Sequence, residues 1–133
     1  MTSVFIRTLT ERQRRRLGKK GSVAVPMDCI FCRIVEKNLP ADIVYEDDEL
    51  IVFKDIHPKG KVHVLLVPKE HITTVNDLED RHTALMGRLW LRVKQLAADW
   101  SIVEPGYRLT VNVGRGGGQE VDHLHMHLVS GRN

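Results

Sequence analysis

Three histidines alternate with apolar residues in the run His123-Leu124-His125-Met126-His127-Leu128-Val129. A β-strand sends successive side chains to opposite faces, so residues two apart share a face. The run therefore predicts a strand over 121–129. Its three imidazoles would line one surface, about 6.6–6.8 Å apart, with Leu124, Met126 and Leu128 on the other. Such a row can bracket one small charged group or divide its duties between neighbouring sites. Packing alone explains it badly, because every buried ring nitrogen needs a partner. Three of the chain's seven histidines fall in this five-residue window.

Two further groups carry chemistry. Gly116-Gly117-Gly118 lies in the loop just before the predicted strand 121–129. Consecutive glycines let backbone N–H groups approach an anion without obstruction by Cβ, so beside the imidazoles the loop reads as a phosphate cradle. The plainer reading is a flexible hairpin connection. Cys29-Ile30-Phe31-Cys32 holds the only two cysteines. A disulfide framework does not suit this class of chain, and a redox motif would want a βαβ setting. A zinc site needs two more donors, with His71 and one histidine of the row as candidates; inert buried thiols are the alternative. His63 lies on the strand predicted over Val62–Val67, either on the functional face or as a packed, hydrogen-bonded histidine. His57 falls at a turn, and His82 reads as a solvated position in the first turns of a helix.

The elements that must hold these groups follow from periodicity. Asp28 is a candidate N-cap for a short helix over Cys29–Lys37, ended by Asn38 and Pro40. Ile43–Glu46 and Leu50–Asp55 flank Asp47-Asp48-Glu49 as a hairpin. Pro58-Lys59-Gly60 makes a turn into the buried strand 62–67. Leu78, Leu85, Leu89, Val93, Leu96 and Trp100 keep helical spacing over 77–100, and Pro105-Gly106 stops that helix. Strands over 107–113 and 121–129 close the domain. This order predicts an α+β fold around an antiparallel sheet.

At 133 residues the chain fits one domain. No apolar run approaches the roughly 18–20 residues of a membrane span, and no signal-peptide pattern is present. A cytoplasmic setting is the default. The net charge of +3 is uneven: seven of the 20 Lys and Arg residues, but one of the 17 acidic residues, fall in 1–27. Residues 1–27 read as a basic, disordered leader, or as sequence upstream of a start at Met27; an organelle transit sequence and a nucleic-acid arm are lesser readings. Residues 28–133 form the domain, which is mildly acidic. No nucleic-acid or membrane partner is expected from it.

The motifs then converge. Gly117-Gly118-Gln119-Glu120-Val121 followed by His123-x-His125-x-His127 closely resembles the signature of the histidine-triad (HIT) superfamily. Ile30-Phe31-Cys32-Arg33-Ile34, Asp42-Ile43-Val44-Tyr45-Glu46-Asp47-Asp48, Phe53-Lys54-Asp55-Ile56-x-Pro58 and His63-Val64-Leu65-Leu66-Val67-Pro68-Lys69-x-His71-Ile72 match in order. The resemblance covers about residues 28–132. It is strongest to the HINT branch of nucleotide-binding phosphoramidases. It implies a five-stranded antiparallel sheet with one long and one short helix, assembled as a two-fold homodimer.

By this resemblance the protein would hydrolyse the P–N bond of purine nucleoside phosphoramidates. His125 would be the nucleophile, forming a nucleotidyl-imidazole that water then releases as a nucleoside monophosphate. His127 and the Gly117 and Gly118 amides would bind phosphate oxygens. Gln119 would contact the region between phosphorus and leaving group. Asp55 would bind the ribose hydroxyls, and Phe31, Phe53, Ile56 and Leu65 the base. Asn112 would hold the phosphate-side network, with Glu120 and Val121 completing the nucleotide-binding set and His63 behind the triad as a supporting catalytic residue. Cys29, Cys32, His71 and His123 would form a structural zinc site, and no organic cofactor is implied. Glu120 stands where some relatives have serine, and Asp122 where an aromatic is common. The chain ends shortly after the triad, where relatives often continue with a segment shaping the leaving-group side. Other readings are a dinucleoside polyphosphate hydrolase of the same superfamily, a nucleotide-binding adaptor with weak catalysis, or a metal enzyme in which the triad ligates a catalytic ion.

Overall fold

A computed structural model describes residues 28–131. The basic leader 1–27 and the last two residues lie outside the described residues. The chain divides into two compact units, one ending at Pro40 and one beginning at Ala41.

In the first unit, helix α1 spans Ile30–Val35. It is shorter than the expected 29–37, and its cap differs. Cys29, not Asp28, is the N-cap, with its Sγ accepting from the Cys32 N–H at 3.3 Å. The helix stops early because Lys37 takes a left-handed φ of 65°. The Lys37 and Asn38 amides then bond back to the Ile34 and Arg33 carbonyls at 3.0 and 2.8 Å, a Schellman ending that satisfies the last carbonyls.

The second unit is a five-stranded antiparallel sheet with one long helix. Strands β1 (Ile43–Glu46), β2 (Leu50–Lys54), β3 (Val62–Pro68), β4 (Arg108–Thr110) and β5 (Met126–Ser130) lie in the order β1-β2-β3-β5-β4. Asp47 builds the first hairpin: its Oδ1 accepts from the Glu49 and Leu50 amides, each at 2.8 Å, and its Oδ2 from the Tyr45 hydroxyl at 2.6 Å. Helix α2 (Thr83–Asp99) buries Leu85, Leu89, Val93, Leu96 and Ala97 at helical spacing. They pack with Leu50, Val52, Val64, Leu66, Met126 and Leu128 in the core. Strand alternation puts the odd-numbered side chains, His63, Leu65 and His127 among them, on the sheet's other face. The register pairs Leu65 with His127 and His63 with Val129, so His63 and His127 are diagonal neighbours on that face.

Three elements are shorter than their periodicity predicts. The helix expected over 77–100 begins at Thr83, because Leu78 and Glu79 are extended (ψ 144° and 166°) and separate the 3₁₀ turns at Val75–Asp77 and Asp80–His82. Strand 107–113 contracts to 108–110. The histidine strand begins only at Met126. Before it, the Leu124 amide donates to the Ile72 carbonyl at 2.6 Å, outside the β3–β5 pairing. His123 and His125 thus sit in an irregular approach, and of the three only His127 is on the strand. No helix among the described residues is long and apolar enough to cross a membrane.

Candidate functional site

Hydrogen bonds made by the second nitrogen of each ring separate the histidines by role. His125 Nδ1 lies 2.7 Å from the His123 carbonyl. A carbonyl only accepts, so Nδ1 carries the proton and Nε2 keeps its lone pair. Burial holds His125 below the usual imidazole pKa, which keeps this lone-pair form populated near neutrality. His63 has the opposite arrangement. Its Nδ1 accepts from the Lys59 amide at 2.9 Å, so its proton is on Nε2. That Nε2 lies 3.0 Å from His127 Nδ1 and 3.4 Å from Asp55 Oδ2. His127 therefore accepts at Nδ1 and carries its own proton on Nε2. Burial, then the His125 and His63 rings, push the His127 pKa down to about 4. The His125 and His127 rings are 5.1 Å apart, centroid to centroid. A lone-pair nitrogen and an N–H donor on adjacent rings suit attack on phosphorus with proton delivery beside it.

His123 faces elsewhere. Its Nε2 donates to the Pro68 carbonyl at 2.8 Å, which leaves Nδ1 as the lone-pair nitrogen. That Nδ1 points at His71 Nδ1, 3.2 Å away, with the rings edge to face. His71 Nε2 is 3.4 Å from Thr73 Oγ1. An imidazole held at its far nitrogen by a backbone carbonyl has the usual form of a metal-ligating histidine. In the first unit, the hydrogen bond with Cys29 and burial push the Cys32 thiol well above its ordinary pKa.

The glycine loop departs from expectation. Gly114 (φ 71°) and Gly118 (φ 86°) bracket a 3₁₀ turn at Arg115–Gly117. The Gly117, Gly118 and Gln119 amides donate inside it, to the carbonyls of Gly114, Arg115 and Gly114 at 3.0–3.1 Å. The Gly117 and Gly118 N–H groups, expected on phosphate, are thus committed to the turn, because a 3₁₀ fold consumes them. Asn112 does hold the loop, donating to the Gly117 carbonyl at 2.8 Å. Gln119 is buried with its amide engaged: Oε1 accepts from the Gly114 N–H, and Nε2 donates to the Thr73 and Val121 carbonyls, at 2.8–2.9 Å. Its amide clamps the loop. Asp122 forms a bidentate pair with Arg115 at 3.0 and 3.1 Å, and both are exposed, which accounts for a carboxylate where an aromatic is common.

The remaining residues divide. Phe53 and Leu65 are buried, and Asp55 begins the loop after β2, where its Oδ1 accepts from the His57 amide at 2.8 Å. Ile56 is 72% exposed, so it does not contribute a closed apolar wall. Phe31 is buried on α1, in the first unit. Glu120 is exposed and Val121 half-buried; the Glu120 charge acts on His125, in the direction that raises its pKa. Beside His125 an apolar cavity of about 270 Å³ is walled by Val75, Leu78, Trp90, Val111 and Met126. His82 is buried rather than solvated, at 3% exposure. Its Nδ1 accepts from the Glu79 amide at 2.9 Å and its Nε2 lies 3.1 Å from Glu70, whose pKa the Arg81 guanidinium lowers. The groups that sequence reasoning missed are the Lys59 amide and the Pro68, Thr73 and His123 carbonyls. Main-chain groups leave no residue-type signal; only the Glu79-to-His82 spacing, that of a capping box, was readable.

Known proteins match this chain in sequence and in fold. The family model described as scavenger mRNA decapping enzyme, C-terminal binding, matches residues 28–133. A purine nucleoside phosphoramidase of Escherichia coli K12 is 44% identical over 105 residues, 79% of this chain and 88% of that protein. The crystal structure of a HIT family hydrolase from Legionella pneumophila superposes with a TM-score of 0.76 at 45% identity, over 79% of this chain and 94% of that one. A histidine triad protein from Clostridium difficile gives 0.78 at 35% identity, over 83% and 96%. With the divided histidine row and these matches across nearly all of residues 28–133, the chain belongs to the histidine-triad superfamily.

Proposed function

We infer that this protein is a nucleotide-binding hydrolase that cleaves the P–N bond of purine nucleoside phosphoramidates through a nucleotidyl-His125 intermediate. One observation carries the reading: His125 keeps a lone pair on Nε2 while the neighbouring His127 keeps a proton on its own Nε2. Attack of His125 Nε2 on phosphorus breaks the P–N bond. The amine leaves with the proton from His127 Nε2, and the His125 Nδ1–H on the His123 carbonyl stabilises the charge gained by the ring. Water then attacks phosphorus, returns a proton to His127 Nε2 and frees His125 with release of the monophosphate. Asp55 would bind the ribose hydroxyls, and Phe53 and Leu65 would line the base side. Asn112 and Gln119 would hold the glycine loop that borders the phosphate. The apolar cavity beside His125 would take the body of the amine. Similarity to the E. coli phosphoramidase supports the substrate class.

Cys29, Cys32, His71 and His123 would hold one zinc ion, a donor set of suitable composition. The ion would be structural and take no part in the reaction. His123, with Nε2 on the Pro68 carbonyl and Nδ1 toward His71, fits such a ligand. The family model's name, that of a decapping enzyme, favours a second substrate class, nucleotide pyrophosphates attacked by the same His125.

The test is a single-turnover assay with adenosine 5′-phosphoramidate. Wild type should yield a trappable nucleotidyl-histidine on His125 and release AMP faster than it cleaves diadenosine polyphosphates. His125→Ala should lose AMP release by a factor of about 10³ or more while still binding AMP. Full activity in that variant sinks the mechanism.

A further inference from the structure

The imidazole chain that ends at His127 starts at a backbone amide. The Lys59 N–H donates to His63 Nδ1 at 2.9 Å, and His63 Nε2 is 3.0 Å from His127 Nδ1. A neutral imidazole that accepts at one nitrogen is protonated at the other. One amide thus selects the tautomers of two rings, provided that it is aimed.

What aims it is the loop over 55–61. Its neck is closed by the Asp55 amide on the His63 carbonyl at 3.0 Å, and its first turn by the His57 amide on Asp55. At Gly60 the loop meets the end of β5. A Cβ there would lie 2.8 Å from the carbonyl oxygens of Ser130 and Gly131 and 2.9 Å from Val129 Cγ1. Atoms essentially never approach a Cβ so closely, and the carbonyls cannot yield without moving β5, whose Val129 pairs with His63. Gly60 does not take a left-handed φ, so the demand is for space and not for backbone freedom.

We propose that Gly60 and the Lys59 amide are positioning elements: the loop seated against β5 fixes the tautomers of His63 and His127, so that His127 presents an N–H to the reacting phosphate. The benefit to catalysis rests on the proton-donor role given to His127 above; the tautomers themselves do not.

The test is long-range ¹H–¹⁵N spectroscopy of the histidine rings in the full chain, beside steady-state kinetics on a nucleoside phosphoramidate. Wild type should show His63 and His127 as Nε2–H tautomers. Gly60→Ala should mix the tautomers and lower kcat about tenfold or more, with KM within about twofold. Lys59→Pro, which removes the N–H, should act in the same direction. Gly87→Ala on α2, where a Cβ meets nothing within 4 Å, should change neither readout. An Nδ1–H tautomer at His63 in wild type overturns the proposal even if Gly60→Ala fails to fold. So do unchanged tautomers in Gly60→Ala and Lys59→Pro. Wild-type tautomers as expected in a protein without phosphoramidate turnover sink the functional reading and leave the positioning intact.

Discussion

At the scale of single residues, the partner of one ring nitrogen decides what the other can do. His63 and His127 face each other at 3.0 Å, and His71 and His123 at 3.2 Å. With Asp55, the first pair forms a group whose donor atoms lie close enough for a metal ion, while the second belongs to the donor set proposed above for zinc. The far nitrogens distinguish them. His63 Nδ1 accepts from the Lys59 amide, so a neutral His63 ligating through Nε2 would need a proton on Nδ1 that collides with that N–H. That arrangement does not suit a metal ligand. His123 Nε2 donates to a carbonyl, so its Nδ1 carries the lone pair that a ligand requires. Zinc measured on the purified protein should therefore amount to about one ion per chain and be lost in Cys29→Ser and His71→Ala. It should stay in His63→Gln and His127→Gln. Metal content that tracks His127 and ignores Cys29 would reverse the assignment.

At the scale of elements, Asp47 offers a prediction with a definite sign. Burial alone would raise its pKa from the ordinary 3.8, but the Tyr45 hydroxyl and the Glu49 and Leu50 amides outweigh burial and lower it. A depressed carboxylate contributes stability that is present above its unfolded-state value and lost as pH falls through the folded-state value. Asp47→Asn should therefore be less stable than wild type at neutral pH, by about 1 kcal/mol for weakened hydrogen bonds. The gap should close below pH 3.8, as read by denaturant melts across pH. This hairpin was legible in the sequence, since Asp47-Asp48-Glu49 between two β-branched runs is a local signal. The histidine strand was legible only partially. Alternation over 123–129 reports which residues are apolar, not which backbone groups pair, and the Leu124 amide goes to Ile72 instead of the ladder. The same limit hid the glycine loop's internal bonds: Gly117 and Gly118 announce freedom, and the chain uses it to close a turn upon itself. Long-range matches placed His63 with the triad by resemblance, yet its tautomer depends on an amide that any residue type at position 59 but proline would supply.

At the scale of the whole molecule, the question is what covers the surfaces left over by the second unit. Trp90 and Leu91 on α2 are 55% and 66% exposed, beyond the stripe that α2 buries. Among the described residues, the edge strand β4 is three residues long and pairs only with β5. An exposed indole suits an interface centre, where Trp is among the commonest anchors. The homodimer expected from the sequence would use these surfaces. Sedimentation should find two chains at micromolar concentration. Trp90→Glu should raise the dissociation constant by about thirtyfold or more, the loss of one anchor worth at least ~2 kcal/mol, with unchanged circular dichroism. Trp90 also walls the cavity beside His125, so loss of the partner should alter preference among amine leaving groups before it alters AMP binding. A wild-type monomer at that concentration, or a Trp90→Glu protein that remains fully associated, would place the interface elsewhere.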